Sequence, residues 1–550
     1  MANKELKNKK FIILNERQLC DLELLLNGGF APLNRFMNET DYYSVLNNMR
    51  LCTGELWPLP VTLGISEDDM KSFKHEKSIV LRDSQNVPLV LLDIEQIYKP
   101  DLMLECKLAY GTTDNNHPYV KLILDQGNVY YISGKLTKIN DPLHYDFMDI
   151  RLTPRQTKKY FVDNGWKTIV GFQTRNPMHK SHYELTKYAM TIAGTDSKML
   201  LHPVVGITQE CDVNYHTRVK CYKKLVKYYP DNTVILSLLP LSMRMAGPRE
   251  ALFHALIRQN YGCTHFVVGR DHAGPSYKDK NGNNFYGPYD AHNLLEKYND
   301  ELNIKIIKSK MIVYVKELDD YMPIDKVPEN LTILNISGTQ QRQMLVAGDD
   351  IPGWFSYPDI VKELKKSYVP NNEKGLCIYF VGLSGSGKST IGNMLKSKLQ
   401  ESVNKDISIL DGDVIRQHLS KELTFSKEDR STNIRRIGYV ASEIVKHRGI
   451  VLCANIAPYE EDRQYNRKLI SKYGYYIEIF VDTKLNVCED RDIKGLYKLA
   501  RNGIIKQFTG ISDPFETPTN PELIINGNDD INENLNKILD TLKEIQWLQI

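Results

Sequence analysis

The rhythm of hydrophobic and polar positions changes twice along this chain, and each change marks a new architecture. Up to about residue 150 the apolar positions come in short runs: Ser78-Ile79-Val80-Leu81, Leu89-Val90-Leu91-Leu92 and Val129-Tyr130-Tyr131-Ile132. Turn-forming stretches such as Asp125-Gln126-Gly127-Asn128 separate them, which predicts short strands and a mostly β module over residues 1–150. Pro88 falls at the head of the second run, where a strand tolerates a residue without an N–H. The segment Gly28 to Leu33 reads as loop chemistry, open to a structural or a functional use.

From Thr153 the pattern alternates. Buried-strand runs at 168–172, 199–206, 233–239, 265–269 and 304–308 are spaced by helical periods at 182–193, 217–229 and 249–261. Such alternation predicts a parallel sheet wrapped by helices, with ligands gathered at the C-terminal strand ends. A polar hinge, Ser367 to Gly375, then leads to a second alternating region. Its strand runs are 376–381, 407–410, 450–454, 476–481 and 523–525. The expected organisation is therefore a β-rich domain over 1–150, an α/β domain over 151–368, a linker over 369–375 and a second α/β domain over 376–550.

Composition narrows the class. With 71 Lys and Arg against 68 Asp and Glu, the net charge of +3 over 550 residues gives no field that would draw nucleic acid or an anionic membrane. Nine cysteines, at 20, 52, 106, 211, 221, 263, 377, 453 and 488, form no C-x-x-C pair. Reduced thiols and a cytoplasmic location are expected, with neither a disulfide framework nor a zinc site. The basic start, MANKELKNKKFIIL, has an apolar run of four residues, too short for a signal-peptide core, and no stretch approaches a membrane span.

The most specific chemistry lies at Gly382 to Thr390, GLSGSGKST, between a strand run and a helical one beginning near Ile391. It meets the phosphate-loop pattern in full. Its glycines let backbone N–H groups face one anion, Lys388 reaches the outer phosphates, and the Ser389 hydroxyl can ligate Mg²⁺. Gly382, Ser384, Gly385, Ser386, Gly387, Lys388, Ser389 and Thr390 are thus the expected ATP cradle. At the next strand end, Asp411-Gly412-Asp413 can orient a hydroxyl or the Mg²⁺, or be an ordinary turn.

Two polar motifs follow strands of the earlier region. In Gln173-Thr174-Arg175-Asn176-Pro177-Met178-His179-Lys180-Ser181-His182, Asn176 is expected to cap a helix with Pro177 at its first position. That would put His179 and His182 on one face at the positive helix end, among donors suited to a polyphosphate. In Gly269-Arg270-Asp271-His272-Ala273-Gly274, Arg270 offers a fork for a tetrahedral oxyanion and the small residues admit close backbone N–H groups. The competing reading is a tight turn with an Arg–Asp surface pair. Between them, Met243 to Glu250 is a basic turn, structural or functional.

The segments QTRNPMHKSH, HPVVG, MRMAGPREALFHALIRQNYGCTHFVVGRDHAG and ISGTQQRQMLVAGDDIPGWFSYP resemble the ATP sulfurylase (sulfate adenylyltransferase) family over about Gly28 to Pro358. The resemblance implies a PUA-like β-rich N-terminal domain and a Rossmann-like nucleotidyltransferase domain with a small appended segment. It implies that Gln173, Thr174, Arg175 and Asn176 bind sulfate and ATP phosphates, that His179 and His182 contact the phosphate chain, and that Arg270 and the Ala273 backbone hold sulfate. Sulfate oxygen would attack the α-phosphorus of ATP in line, with Mg²⁺ travelling with ATP. Departures from the family pattern are Arg35 before Phe36-Met37, Met245 for a Tyr, and the run Gln209-Glu210-Cys211-Asp212.

Downstream, LDGDVIR, FSKEDRSTNIRR, NIAPYEEDR, RDIKGLYKLAR and KQFTGISDPFE resemble adenylylsulfate (APS) kinase over about Gly375 to Leu523. The resemblance implies a P-loop kinase in which Asp413, Arg416, Arg430, Asn433, Ile456 and Lys494 hold APS and Phe425 and Phe508 sandwich its adenine. Asp411 would accept or orient the ribose 3′-hydroxyl proton, with Asp413 the second candidate. Thr424, Ala457 and Leu499 depart from the pattern, and Ala457 excludes a phosphoserine there. The expected function is two-step sulfate activation, ATP and sulfate to APS, then APS to PAPS, by a homo-oligomer with small-molecule substrates. The alternatives are a silent kinase-like domain that senses PAPS or APS, and a sulfurylase run in reverse to make ATP.

Overall fold

The computed structural model describes residue 6 and residues 9–209, 212–492 and 494–548; Glu210 and Cys211 of the departing run lie outside these. The described residues divide into two units, Met1–Gln341 with Ile351–Ser367, and Arg342–Asp350 with Tyr368–Ile550.

The first unit begins with a five-stranded sheet of order β1-β3-β4-β5-β2, built from β1 (Phe11–Ile13), β2 (Leu63–Ile65), β3 (Ser78–Arg82), β4 (Pro88–Tyr98) and β5 (Tyr130–Lys138). Pro88 is the first residue of β4, as its missing N–H requires. Helices that the strand-like texture did not announce pack on this sheet, including Glu16–Asn27 and Glu39–Asn48. Asn15 and Asn38 cap them, accepting from the backbone N–H groups of Gln18 and Asp41.

The sheet that follows is wholly parallel, with order β10-β9-β6-β7-β8: β6 (Ile169–Phe172), β7 (Lys198–Leu201), β8 (Val234–Leu236), β9 (His265–Val268) and β10 (Lys305–Lys308). All five strands fall within or beside the runs read from sequence. The chain winds outward from β6 in one direction and returns at β9 in the other, so the strand order reverses between β6 and β9. Loops leaving those two strands flank the crevice where open α/β sheets bind ligands. A small antiparallel sheet, β12-β11-β13, follows from β11 (Ile312–Val315), β12 (Asp320–Pro323) and β13 (Ile333–Leu334).

Four sets of contacts join the N-terminal module to the helix Gly247–Asn260 and the turn before it. Phe30, Trp57 and Phe253 meet with ring centroids 5.1–5.8 Å apart, all three fully buried. Asn260 donates to the carbonyls of Gly29 and Ala31 at 3.0 and 2.7 Å. Arg244, fully buried, makes a bidentate pair with buried Asp21 at 2.9 and 2.8 Å, while Arg249 donates to the carbonyls of Val45, Leu46 and Pro58. Phe30 of the segment Gly28 to Leu33, and Arg244 and Arg249 of the basic turn, are thus taken up in this junction.

The second unit holds a parallel sheet of order β15-β16-β14-β17-β18, from β14 (Gly375–Val381), β15 (Ile407–Asp411), β16 (Ile450–Ala454), β17 (Gly474–Asp482) and β18 (Leu523–Asn526). Central β14 is buried at every residue, which is why its sequence is a continuous apolar run. The helix after it spans Lys388–Ser402, starting three residues before the expected Ile391, because Gly387 in a left-handed conformation (φ 105°) turns the chain directly into it.

Candidate active sites

The loop after β6 departs from expectation. Its helix is Lys180–Ala193, with His179 as the N-cap, and Asn176 does not cap it. The cap is supplied from within, because His182 Nδ1 accepts from the His179 N–H at 3.3 Å. Asn176 sits instead in an exposed turn, its N–H donating to Thr174 Oγ1 at 3.1 Å and its carbonyl accepting from Tyr222 at 2.7 Å. The two imidazoles remain neighbours, ring centroids 6.0 Å apart. His179 is 6% exposed, lies 4.5 Å from the Phe355 ring and bonds Ser356 Oγ at 3.1 Å. Burial holds His179 down to about 3 and His182 to about 4, so both are neutral at physiological pH.

Arg175 is held by two other loops. Its Nη1 donates to both carboxylate oxygens of Asp212 at 2.9 Å, and its Nη2 reaches the Gly274 carbonyl at 3.3 Å and Ser276 Oγ at 3.4 Å. The motif after β6 thus meets the one after β9, as the topology required. Gln209, in the departing run, adds a reciprocal contact: Ser276 N–H donates to its Oε1 at 2.8 Å and its Nε2 lies 3.4 Å from Ser276 Oγ. Sequence reasoning assigned no part to Asp212 or Ser276, which belong to loops distant along the chain.

Arg270 is more than half exposed and pairs with Asp271 at 3.1 Å, the surface pair that competed with the oxyanion reading. The surrounding backbone is nonetheless unusual. Asp271 and Ala273 take left-handed conformations (φ 55° and 57°), and Met245 does the same (φ 57°), its carbonyl bonded by His117 Nε2 at 3.0 Å. Non-glycine residues pay for such geometry with strain that tends to collect at functional loops. Arg35, another departure, is taken up by Asp41 and Glu95 and does not enter this region's chemistry.

In the second unit a cavity of about 780 Å³ opens at the C-terminal ends of the strands. Ser384, Gly385, Gly387, Lys388, Ser389 and Thr390 line one side; Asp411, Asp413, Arg416, Phe425, Arg430, Asn433, Ile456, Lys494 and Phe508 line the rest. Gly382 and Ser386 support the loop from behind. A Cβ on Gly382 would stand 2.7 Å from the Val481 carbonyl, and Ser386 is fully buried with its Oγ 3.3 Å from Lys388 Nζ. Lys388 also donates to the carbonyls of Gly382 and Leu383 at 2.9 and 2.6 Å, and burial lowers it to about 8.

Asp411 caps the helix Gly412–His418, one oxygen accepting from Asp413 N–H at 3.0 Å and the other from Ser389 Oγ at 2.7 Å. Lys494 pairs with Asp413, and Arg430 with Asp513, Tyr459 at 2.8 Å and Thr509 at 2.7 Å. Arg416 lies 4.3 Å over the Phe425 ring, which is 60% exposed, whereas Phe508 packs edge-on against Tyr497 at 5.0 Å. Asn433 is buried against the cavity with its amide oxygen unpartnered among the described residues. Asp513, Thr509 and Tyr459 escaped sequence reasoning although they stand in motifs it singled out. Ala457 is buried with φ 44°, Thr424 bonds Asp429, and Leu499 is partly exposed.

These features define a two-site nucleotide-handling transferase: a reversing parallel sheet with convergent polar loops, and a P-loop kinase fold with a cation-lined cavity. The comparisons agree. Family models match as PUA-like domain over residues 1–141, ATP-sulfurylase over 148–367 and adenylylsulphate kinase over 374–526. Sulfate adenylyltransferase of Chaetomium globosum is 46% identical over 517 residues, 94% of this chain and 90% of the relative. That of Yarrowia lipolytica is 44% identical over 525 residues, 95% and 91% respectively. A solved structure described as a hexameric APS kinase from Thiobacillus denitrificans aligns with a TM-score of 0.78 at 29% identity, covering 100% of this chain and 96% of its own. The chain belongs to the sulfate adenylyltransferase family and carries an adenylylsulfate kinase domain. No helix among the described residues is long and apolar enough to cross a membrane.

Proposed function

We propose that the two sites act in sequence, the first making APS and pyrophosphate from ATP and sulfate, the second phosphorylating the APS 3′-hydroxyl to give PAPS. In the first site Arg175 and Arg270 would neutralise sulfate and the α-phosphate, with Gln173, Thr174, Asn176 and the Ala273 backbone orienting them. Sulfate is a weak nucleophile, so holding two anions in line and stabilising the charge that develops are the main sources of rate. His179 and His182, being neutral, would give hydrogen bonds to the leaving pyrophosphate rather than charge.

In the second site the phosphate loop would hold ATP, and Arg416, Arg430, Asn433 and Lys494 the phosphosulfate and ribose of APS. Asp411 would take the 3′-hydroxyl proton as the oxygen attacks the γ-phosphorus. The hard oxygen pair of Ser389 and Asp411 suits Mg²⁺, which would neutralise phosphate charge when bound with ATP. The observation that carries the kinase reading is the join between Lys388, Ser389 and Asp411 in one cavity with the APS-side cations. A homo-oligomer remains the expected assembly, to be read by light scattering.

Labelled sulfate with ATP and Mg²⁺, resolved into APS and PAPS, tests both sites. Lys388→Ala should accumulate APS, and Arg175→Ala should give neither product. PAPS at the wild-type rate from Lys388→Ala would reject the kinase assignment, and normal APS from Arg175→Ala the sulfate site.

A further inference from the structure

Behind the two motifs of the first unit lies a buried polar chain that the proposed chemistry does not use. His254, fully buried on the helix Gly247–Asn260, places Nδ1 3.0 Å from Nε2 of His272, in the loop after β9. Its Nε2 lies 3.5 Å from the Gln173 amide, in the loop after β6, and 3.5 Å from Glu250 Oε1. One imidazole therefore touches both loops that the proposed function assigns to the anions.

Proton counting leaves this chain two directions. Burial pushes both imidazoles well below their ordinary range, so each is neutral and carries one ring proton. Glu250 accepts from the backbone N–H groups of Arg244 and Ala246 at 2.8 and 3.0 Å, which anchors an acceptor opposite His254 Nε2. With the His254 proton on Nε2, facing Glu250, Nδ1 accepts from His272 Nε2–H. Rotating the Gln173 amide by half a turn puts its oxygen, which otherwise is buried without a partner, opposite the His254 Nε2–H. The Gln173 NH₂ group then takes the buried position of that oxygen, with no acceptor among the described residues.

We propose that His254 is a positioning residue for the sulfurylase step: it sets the amide orientation of Gln173 and pins the Arg270–Gly274 loop through His272. This rests on the proposed assignment of those loops to sulfate and ATP. Without the imidazole, Gln173 is free to present oxygen rather than N–H to an anion, and the loop after β9 loses its tie to the helix.

The test uses the full chain with His254→Leu, His254→Asn and His254→Gln, measuring KM for sulfate and for ATP in APS formation. Phosphorylation of added APS by the same preparations reports on the rest of the chain. His254→Leu should raise KM for sulfate about tenfold, with KM for ATP changed less than about twofold. Asn can still accept from His272 and Gln can still reach Gln173, so each should recover part of the loss. A sulfate KM within about twofold of wild type in His254→Leu overturns the proposal. If His254→Leu also loses the kinase rate, Asn and Gln variants that keep that rate decide: unchanged sulfate KM in both overturns the proposal, and a selective rise in either supports it. Failure of the wild-type chain to make APS would reject the sulfurylase reading itself, a distinct result.

Discussion

Asp212 grips Arg175 through both carboxylate oxygens, each 2.9 Å from Nη1, and it does so from the loop after β7. The side chain proposed to receive sulfate is thus already facing a carboxylate. An incoming dianion must share that guanidinium with Asp212 and approach against its charge. Asp212→Asn keeps an oxygen acceptor for Arg175 and removes the charge, so KM for sulfate should fall about threefold. Initial rates at varied sulfate check this, and a higher KM would mean that the carboxylate serves to hold Arg175 in place.

Asp411 stands where the hydroxyl proton would go, bonded to Ser389 at 2.7 Å. Asp411→Asn preserves size and hydrogen bonding but removes the base. The kinase kcat should drop about a hundredfold, within the range for general base catalysis, with KM for APS little changed. APS formation by the first unit should be untouched. Retention of the wild-type kinase kcat would exclude Asp411 as the proton acceptor.

Arg244 and Asp21 are both fully buried, so neither can turn to water when its partner goes. Asp21→Asn should destabilise the first unit by about 3–5 kcal/mol, seen as a lowered Tm in calorimetry. Replacing both by apolar residues of similar size should recover much of the loss, since the desolvation cost disappears with the charges. Equal loss in the single and double variants would contradict this account of the junction.

Lys388 titrates near 8 in the folded chain against 10.5 for an unperturbed lysine, because burial disfavours the ammonium. Between those values the unfolded chain binds more protons, so this residue's destabilising contribution is full below pH 8 and fades as pH rises towards 10.5. ATP phosphates favour the charged form. The kinase KM for ATP should therefore be flat below about pH 7 and rise above about 8, approaching tenfold per pH unit. A flat KM to about pH 9.5 would show that Lys388 stays charged.

The chain's own pattern determined its strands closely: all five of each parallel sheet fall on or beside apolar runs, most clearly the central strands, which are buried on both faces and leave a continuous signature. Phosphate-loop chemistry was equally legible, since Gly382 to Thr390 acts through its own backbone and needs no distant partner. The helices of the N-terminal module were not, their short apolar periods being mixed with polar residues. Nor was the helix start after β6, where His182 rather than Asn176 supplies the cap. Only the tertiary structure decided which of these polar side chains already have partners. Arg244 reaches across 223 positions to Asp21, Arg175 across 37 to Asp212, and His254 across 18 to His272. Propensity and capping are local, whereas ion pairs and imidazole contacts form only after sheet order has brought separate loops to one edge.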